Sequence, residues 1–117
     1  MFFLLRNIFS DDDLNCSNPI TEEEFGYVIN GIDSDIIKIK INSDIEKELN
    51  DAIKKDYSLY TKAIIHIKSK TELSDEEKEL VINTIKDKMN VNLNLKIAYK
   101  ISDIIDYKMK AIIIASK

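Results

Sequence analysis

The sequence predicts an α/β (α+β sandwich) domain in which helices and strands follow one another in the order α-β-α-β-α-β-β. Three Ser/Thr-x-x-Glu capping boxes, at Thr21–Glu24, Ser43–Glu46 and Ser74–Glu77, each precede apolar residues at helical spacing. Isoleucine-rich runs alternate with these helices, with apolar residues at every second position or throughout the run. We therefore expect a four-stranded mixed sheet with the helices mainly on one face.

The three predicted helices have clear start signals. Thr21 opens a helix near 22–30 that ends at Gly31, a residue typical of helix C-termini. Ser43 opens a second helix that we expect to end near Tyr57. The third begins at Ser74, with acidic residues in its first turn and lysines in its last, as the helix dipole favours.

The four predicted strands differ in how many of their faces are apolar. Residues 37–41 alternate isoleucine with lysine, which predicts one wet face. Residues 63–67 form a second strand and residues 91–101 a third with strict alternation. Residues 111–115 are apolar at every position, which is typical of a central strand. The helical crossovers predict parallel pairs among the first three strands, and we expect the last two to be antiparallel.

Length and composition are those of an ordinary globular chain. The 117 residues suit one domain, which we place at 21–117, after an N-terminal apolar segment and acidic loop at 1–20. A content of 44% hydrophobic and 32% charged residues argues against wholesale disorder. The net charge of −4 argues against a uniformly basic surface, so nucleic acid is not the first partner that we expect.

The first nine residues, MFFLLRNIF, are the candidate targeting segment. They have no basic residue before the apolar stretch and are about half as long as a membrane span. We expect them to pack on the core as a strand or short helix, with a peripheral membrane anchor as the alternative. The single cysteine, Cys16, is compatible with a reducing compartment, and we expect a cytoplasmic protein.

The segment from residue 11 to residue 22 resembles a calcium-binding loop in its spacing. Asp11, Asp13, Asn15 and Glu22 fall at positions 1, 3, 5 and 12 of such a loop, where oxygen ligands are needed. Position 6 requires glycine for a sharp turn and is Cys16 here. This favours a solvated acidic loop, and we predict no metal and no cofactor.

His66 and Cys16 are the candidate general base and nucleophile. His66 alternates with Ile65 and Ile67, which predicts that it lies on the wetter face of its strand. A structural or exposed histidine is favoured, because no partner for catalysis can be assigned from the sequence. Neighbouring aspartates disfavour a thiolate at Cys16, so we predict no catalytic residue.

Paired aspartates and tyrosines offer two further kinds of site. Asp33 with Asp35, and Asp103 with Asp106, could hold magnesium, although ending strands is the favoured role. Aromatic residues beside lysines could stack on the bases of a single strand. The residues concerned are Tyr57, Tyr60, Tyr99 and Tyr107, with Lys62, Lys96, Lys100 and Lys108.

Residues 62–105 resemble the C-terminal domain of the ATP synthase delta subunit, called OSCP in mitochondria. The matching features are a strand whose last residues are 65–69, the helix start Leu73-Ser74-Asp75, the strand at 92–96 and the segment 101–105. The sequence departs from that family at 106–107, where Asp-Tyr replaces Gly-Gly, and the residues before 62 do not predict that family's long N-terminal helical domain. The element order is also similar to the C-terminal domain of bacterial translation initiation factor three, whose basic RNA-contacting residues are not evident here. The resemblance to the delta subunit implies a helical protein or a larger assembly as partner.

We therefore predict a small acidic protein-binding module without catalytic activity, which uses its sheet face or edge and could form a homodimer through a sheet edge. One alternative is a small inhibitor, immunity or anti-defence protein that acts on a nucleic-acid enzyme. A second is a nucleic-acid-binding domain. A third is a small enzyme or metal-dependent protein that uses His66 or the loop 11–22.

Overall fold

The computed structural model describes residues 21–30 and 33–117, and these form helices and strands in the predicted order. The predicted α+β class and its α-β-α-β-α-β-β order are therefore confirmed. The elements are α1 (Glu22–Ile29), β1 (Asp35–Ile41), α2 (Ile45–Ala52), β2 (Lys62–Ser69), α3 (Asp75–Lys88), β3 (Asn94–Ile101) and β4 (Met109–Ser116).

The four strands form one mixed sheet in the order β1-β4-β2-β3. β4 is antiparallel to both of its neighbours, β1 and β2, and β2 is parallel to β3. β4 is thus an interior strand, as its apolar sequence predicted. The expected parallel pair of β1 and β2 is wrong, because β4 lies between them. β3 and β4 do run in opposite directions, but β2 separates them.

The physical reason for this order lies in the side chains of the two competing strands. β4 is buried along most of its length, so both of its faces must be covered. β1 carries exposed lysines at alternate positions, which suit an edge strand and would be costly in the interior. Placing β4 between β1 and β2 satisfies both requirements.

The main core lies between the sheet and the helices α2 and α3. Across the four strands the register sets Ile37 opposite Ile113, Ile113 opposite Ile65, and Ile65 opposite Ile97. These isoleucines face a helical layer that buries its own apolar side chains. Those side chains include Ile45, Leu49, Val81 and Ile85.

The helix α1 packs on β2 and β4 from the opposite face of the sheet. It buries Phe25 and Val28, and Glu24 forms an ion pair of 3.2 Å with Lys96. Lys96 alternates with the core-facing Ile97, which places α1 opposite α2 and α3. Two of the three described helices therefore share one face, as predicted.

The capping boxes at Thr21 and Ser74 are confirmed. Each hydroxyl accepts a hydrogen bond of 3.1 Å from the N–H of the predicted glutamate, and that glutamate accepts one in return from the cap residue. The predicted box at Ser43–Glu46 is wrong, because Asp44 is the N-cap and accepts from the N–H of Lys47 at 3.1 Å.

The start of α2 differs from the prediction because of a carboxylate further along the helix. Glu48 accepts hydrogen bonds from the N–H groups of Asn42, Ser43 and Asp44, at 3.1–3.3 Å. These bonds fix the backbone before the helix, so Ser43 does not serve as its cap. The helix also ends at Ala52 rather than near Tyr57.

The cap assignments predict different effects for two matched serine substitutions. Ser74→Ala should lower the free energy of unfolding by about 1 kcal/mol, because it removes the acceptor for a helix N-terminal N–H. Ser43→Ala should change it by less than about 0.5 kcal/mol, as is typical of a surface substitution. Urea unfolding of both variants checks this, and equal losses would contradict the cap assignment.

The Glu48 carboxylate predicts a pH dependence at the start of α2. Backbone N–H groups, that of Ser43 first and that of Asn42 second, lower its pKa below the ordinary 4.5. A lowered pKa stabilises the fold above the unfolded-state value, and this contribution is lost as the pH falls through the folded-state value. The difference in melting temperature between wild type and Glu48→Gln should therefore be present at pH 7 and shrink below about pH 4.5. A difference that grows on acidification would contradict this.

Candidate functional site

Among residues 21–30 and 33–117, no three His, Cys, Asp or Glu side chains come together in a way that could hold a metal ion. The calcium-loop candidates Asp11, Asp13 and Asn15 lie outside the described residues, as do Cys16 and the side chain of Glu22. That loop therefore remains a prediction. In the same described part of the chain, no helix has the length and apolarity needed to cross a membrane.

His66 lies on the predicted face of β2 but is buried, with only 2% of its surface exposed. The expectation of a wet environment is wrong, because its neighbours across the sheet are Ile112 on β4 and Ala98 on β3, which are also buried. His66 takes part in an interaction at this position. An imidazole so closed to solvent fits a structural role better than general base catalysis.

Asp33 and Asp35 contribute to a polar network at one end of the sheet. The Tyr57 hydroxyl donates to Asp35 Oδ2 at 2.6 Å, and Lys55 Nζ lies 3.8 Å from the same oxygen. Lys117 Nζ donates to Asp33 Oδ2 at 3.0 Å. Burial, with the Asp35 carboxylate as a further cause, raises the pKa of the Tyr57 hydroxyl. Asp35 thus links the start of β1 to the connection between α2 and β2, and Asp33 links the residues before β1 to Lys117.

The four tyrosines that could have stacked on bases do not share one exposed surface. Tyr57 and Tyr60 are buried in the core, with ring centroids 4.7 Å apart in an edge-to-face arrangement. Tyr99 is partly buried against the same core, beneath Lys78. Tyr107 lies beneath Lys40, at 5.2 Å from ring centroid to Nζ. The described tyrosines therefore do not form one aromatic platform.

The predicted aspartates Asp103 and Asp106 are exposed in the connection before β4.

A groove of about 390 Å³ lies between α1 and the sheet. Its walls include Tyr27 and Val28 of α1, Ile64 of β2 and the first residues of β3. Two of its charged residues, Glu24 and Lys96, pair with each other at 3.2 Å. The groove therefore offers apolar surface more than a set of converging polar groups.

A row of lysines crosses the sheet on the face opposite the main core. The register sets Lys40 of β1 opposite Lys110 of β4, Lys110 opposite Lys68 of β2, and Lys68 opposite Lys100 of β3. Like charges directly opposite each other destabilise a sheet, so this row favours anionic neighbours. Lys68 and Lys100 already take part in other interactions. The exposed end of the row is at β1, where Lys38 is exposed as well.

The backbone of β1 has a definite orientation at this end. One position beyond the ends of the β2–β4 pair, and in the same register, the N–H of Lys70 donates to the carbonyl of Lys108 at 3.0 Å, so even-numbered residues of β4 bond to β2. Hydrogen-bonding direction alternates along a strand, so the odd-numbered residues of β4 bond to β1. The N–H and C=O groups of Lys38 and Lys40 consequently point away from β4.

At the two ends of this outward edge, carboxylates accept hydrogen bonds from the outward N–H groups. The N–H of Ile36 donates to Asp35 Oδ1 at 3.0 Å, and the N–H of Asn42 donates to Glu48 Oε2 at 3.2 Å. Both residues share the outward parity of β1, which supports the assigned orientation. Between them lies the outward backbone at 38–40. We call this backbone, with the side chains of Ile36, Lys38 and Lys40, the β1 edge.

Sequence reasoning found the alternating lysines of β1 but not the row or the outward backbone. Both depend on β4 being the neighbour of β1, which the two predicted parallel crossovers did not include. The sequence did hold one signal for the row, which is the position of each lysine relative to the core-facing residues of its strand. Each of the five lies out of phase with the core-facing residues of its own strand: Lys38, Lys40, Lys68, Lys100 and Lys110.

The fold has counterparts among solved structures, although no family model and no curated protein matches the sequence. The chain is similar to an FtsZ dimer, empty, from M. jannaschii, at a TM-score of 0.67 and 19% identity, over 97% of this chain and 34% of that one. A mutant of the M. jannaschii FtsZ gives 0.62 and 16%, over 97% and 36%. CetZ from Methanosaeta thermophila gives 0.58 and 15%, over 98% and 34%. The chain thus spans about a third of the length of these proteins, and at such identities the similarity shows the fold alone.

Proposed function

We propose that this protein is a non-catalytic protein-binding module, acting in the cytoplasm within a larger assembly, and that it binds an extended segment of another protein along the β1 edge. The observation that carries the proposal is the outward backbone of Lys38 and Lys40. An extended segment placed beside β1 would continue the sheet and form main-chain hydrogen bonds with these groups. This mode of binding requires no catalytic or metal-binding residue.

The β1 edge has further features that suit an added strand. Its outward segment is limited at both ends, because the Asp35 and Glu48 carboxylates already occupy the flanking N–H groups. The side chain of Ile36 is 41% exposed and offers apolar contact at one end. The segment taken up would therefore be short and its position along β1 defined.

Self-pairing of two β1 strands is a less favourable use of the same edge. In an antiparallel pair related by a two-fold axis, residues with outward backbone groups meet one another. The registers centred on 38–40 set lysine opposite lysine, which is destabilising. We therefore propose a different protein as the partner, and a homodimer is an outcome that the experiment below would reveal.

The proposal predicts that Lys38→Pro abolishes partner binding without unfolding the protein. Proline removes the N–H of residue 38, and this group points away from β4, so no bond within the four-stranded sheet of the described residues is lost. Lys38→Ala is the matched control, because it removes the charge and keeps the N–H. The three proteins are tagged and used to retrieve partners from lysate of the source cells, with washes at low and high salt, and retained proteins are quantified by mass spectrometry.

A protein retained at high salt by wild type and by Lys38→Ala, but lost with Lys38→Pro, would support strand addition at β1. Equal retention by Lys38→Pro would contradict it, provided that this variant melts within a few degrees of wild type. Retention of the untagged chain itself would indicate a homodimer instead. Nucleic acid retained only at low salt would favour the nucleic-acid alternative.

One observation favours the second candidate, an inhibitor of a nucleic-acid enzyme. The outer surface of α2 and α3 is rich in exposed carboxylates, with fewer lysines among them. Such a surface could occupy a basic nucleic-acid channel. This candidate predicts that a nuclease or polymerase is retained at low salt, and that substituting α3 carboxylates releases it while Lys38→Pro does not. The exposed carboxylates include Glu46, Asp51, Asp75, Glu76 and Glu79.

A further inference from the structure

We infer that the segment bound at the β1 edge carries acidic side chains at alternate positions, opposite Lys38 and Lys40. The inference rests on the proposed function and adds the chemistry of the partner to it. Residues directly opposite each other in a sheet share one face. Side chains of the added strand that lie opposite Lys38 and Lys40 therefore project on the same face as the two lysines, two positions apart.

Charge supplies the first argument for this pattern. Lys40 lies directly opposite Lys110 on β4, and Lys38 is the next residue of β1 on the same face. Carboxylates on an added strand would offset the repulsion along this end of the row, and each cross-strand pair of opposite charge is stabilising. The two lysines that face each other at this end, Lys40 and Lys110, belong to β1 and β4.

The positions between the acidic residues supply the second argument. They would project on the other face of the sheet, beside Ile37 and Ile39, where α2 packs on β1. Ile37 is only partly buried there, so an apolar side chain would cover it. The recognised pattern is thus an alternation of acidic and apolar residues in an extended segment. Such an alternation is the natural sequence of a strand with one wet face.

Three synthetic peptides test this pattern directly. Each has seven residues with blocked ends and alternates valine with glutamate, glutamine or lysine, and each is titrated against the full chain by fluorescence anisotropy. Two opposite-charge pairs should make the glutamate peptide bind about two- to thirty-fold more tightly than the glutamine peptide. The lysine peptide should bind more weakly than either.

A charge reversal on the protein should invert this order. Lys38→Glu combined with Lys40→Glu should prefer the lysine peptide to the glutamate peptide. The matched control is Lys54→Glu combined with Lys70→Glu, which makes the same change in net charge at two exposed lysines outside β1. The control should keep the preference of wild type. Melting curves establish that both double variants are folded.

The outcomes separate this inference from the proposed function. If glutamate and glutamine peptides bind equally and Lys38→Pro abolishes both, the acidic pattern is overturned and strand addition stands. If the control double variant inverts the preference as well, net charge rather than the β1 edge is responsible, and the acidic pattern at Lys38 and Lys40 is overturned. If no peptide binds at millimolar concentration, or Lys38→Pro binds as wild type does, both the inference and the proposed function are overturned.

Discussion

Ile113→Asp is expected to leave no cooperatively folded protein at 25 °C. Ile113 is fully buried in β4, between Ile37 and Ile65 and beneath the helical layer. A carboxylate there would lose its hydration without gaining a partner, at a cost of several kcal/mol in addition to the lost apolar packing. Because a domain of this size is stable by only about 5–15 kcal/mol, the sum is enough to unfold it.

Two control substitutions locate the cause of that effect. Ile113→Val keeps the site apolar and should cost about 0.5–1.5 kcal/mol. Lys110→Asp places the same carboxylate on the same strand but on the lysine face, and this variant should still fold. Circular dichroism during urea unfolding distinguishes the three variants. A cooperative transition for Ile113→Asp would show that β4 is not an interior strand covered on both faces.

Phe25→Ala should lower the free energy of unfolding by about 3–5 kcal/mol, the second largest effect that we expect. The Phe25 ring is fully buried where α1 packs on the sheet, on the face opposite the main core. Removing it would leave a cavity beneath a helix of only eight residues, which depends on packing for its stability.

The control for this prediction is an aromatic residue two positions further along α1. Tyr27 is 55% exposed, and its ring lies 4.7 Å from Lys62 Nζ. Tyr27→Ala should therefore cost no more than about 1 kcal/mol, the range of an exposed cation–π contact. Equal losses for the two variants, measured by urea unfolding, would contradict the packing of α1 on β2 and β4.

The fold class could be predicted from the sequence because its signals are local. The hydroxyls of Thr21 and Ser74 begin helices through contacts within four residues, and the apolar run of β4 predicts an interior strand wherever its neighbours are. Ser43 failed as a cap because the next residue, Asp44, is the N-cap and accepts from the N–H of Lys47, and because Glu48, rather than Glu46, accepts from the N–H of Ser43.

The site could not be predicted in the same way, because it depends on which strands are neighbours. The alternation at Lys38 and Lys40 predicted a wet face, but the outward direction of their backbone follows only once β4 is known to pair with β1. His66 shows the same limit of prediction from the sequence. Its parity was predicted, whereas its burial depends on the residues that β3 and β4 place next to it.

Amide hydrogen exchange along β1, measured by NMR on the free protein, tests most directly whether the β1 edge, which no described strand covers, is open. The N–H groups of Ile37 and Ile39 bond to β4 and should exchange slowly, at rates set by opening of the sheet. Those of Lys38 and Lys40 point away from β4 and should exchange faster by orders of magnitude. On addition of the glutamate–valine peptide, Lys38 and Lys40 should become protected. Protection of Lys38 and Lys40 equal to that of Ile37 and Ile39 in the free protein would contradict an open edge at β1.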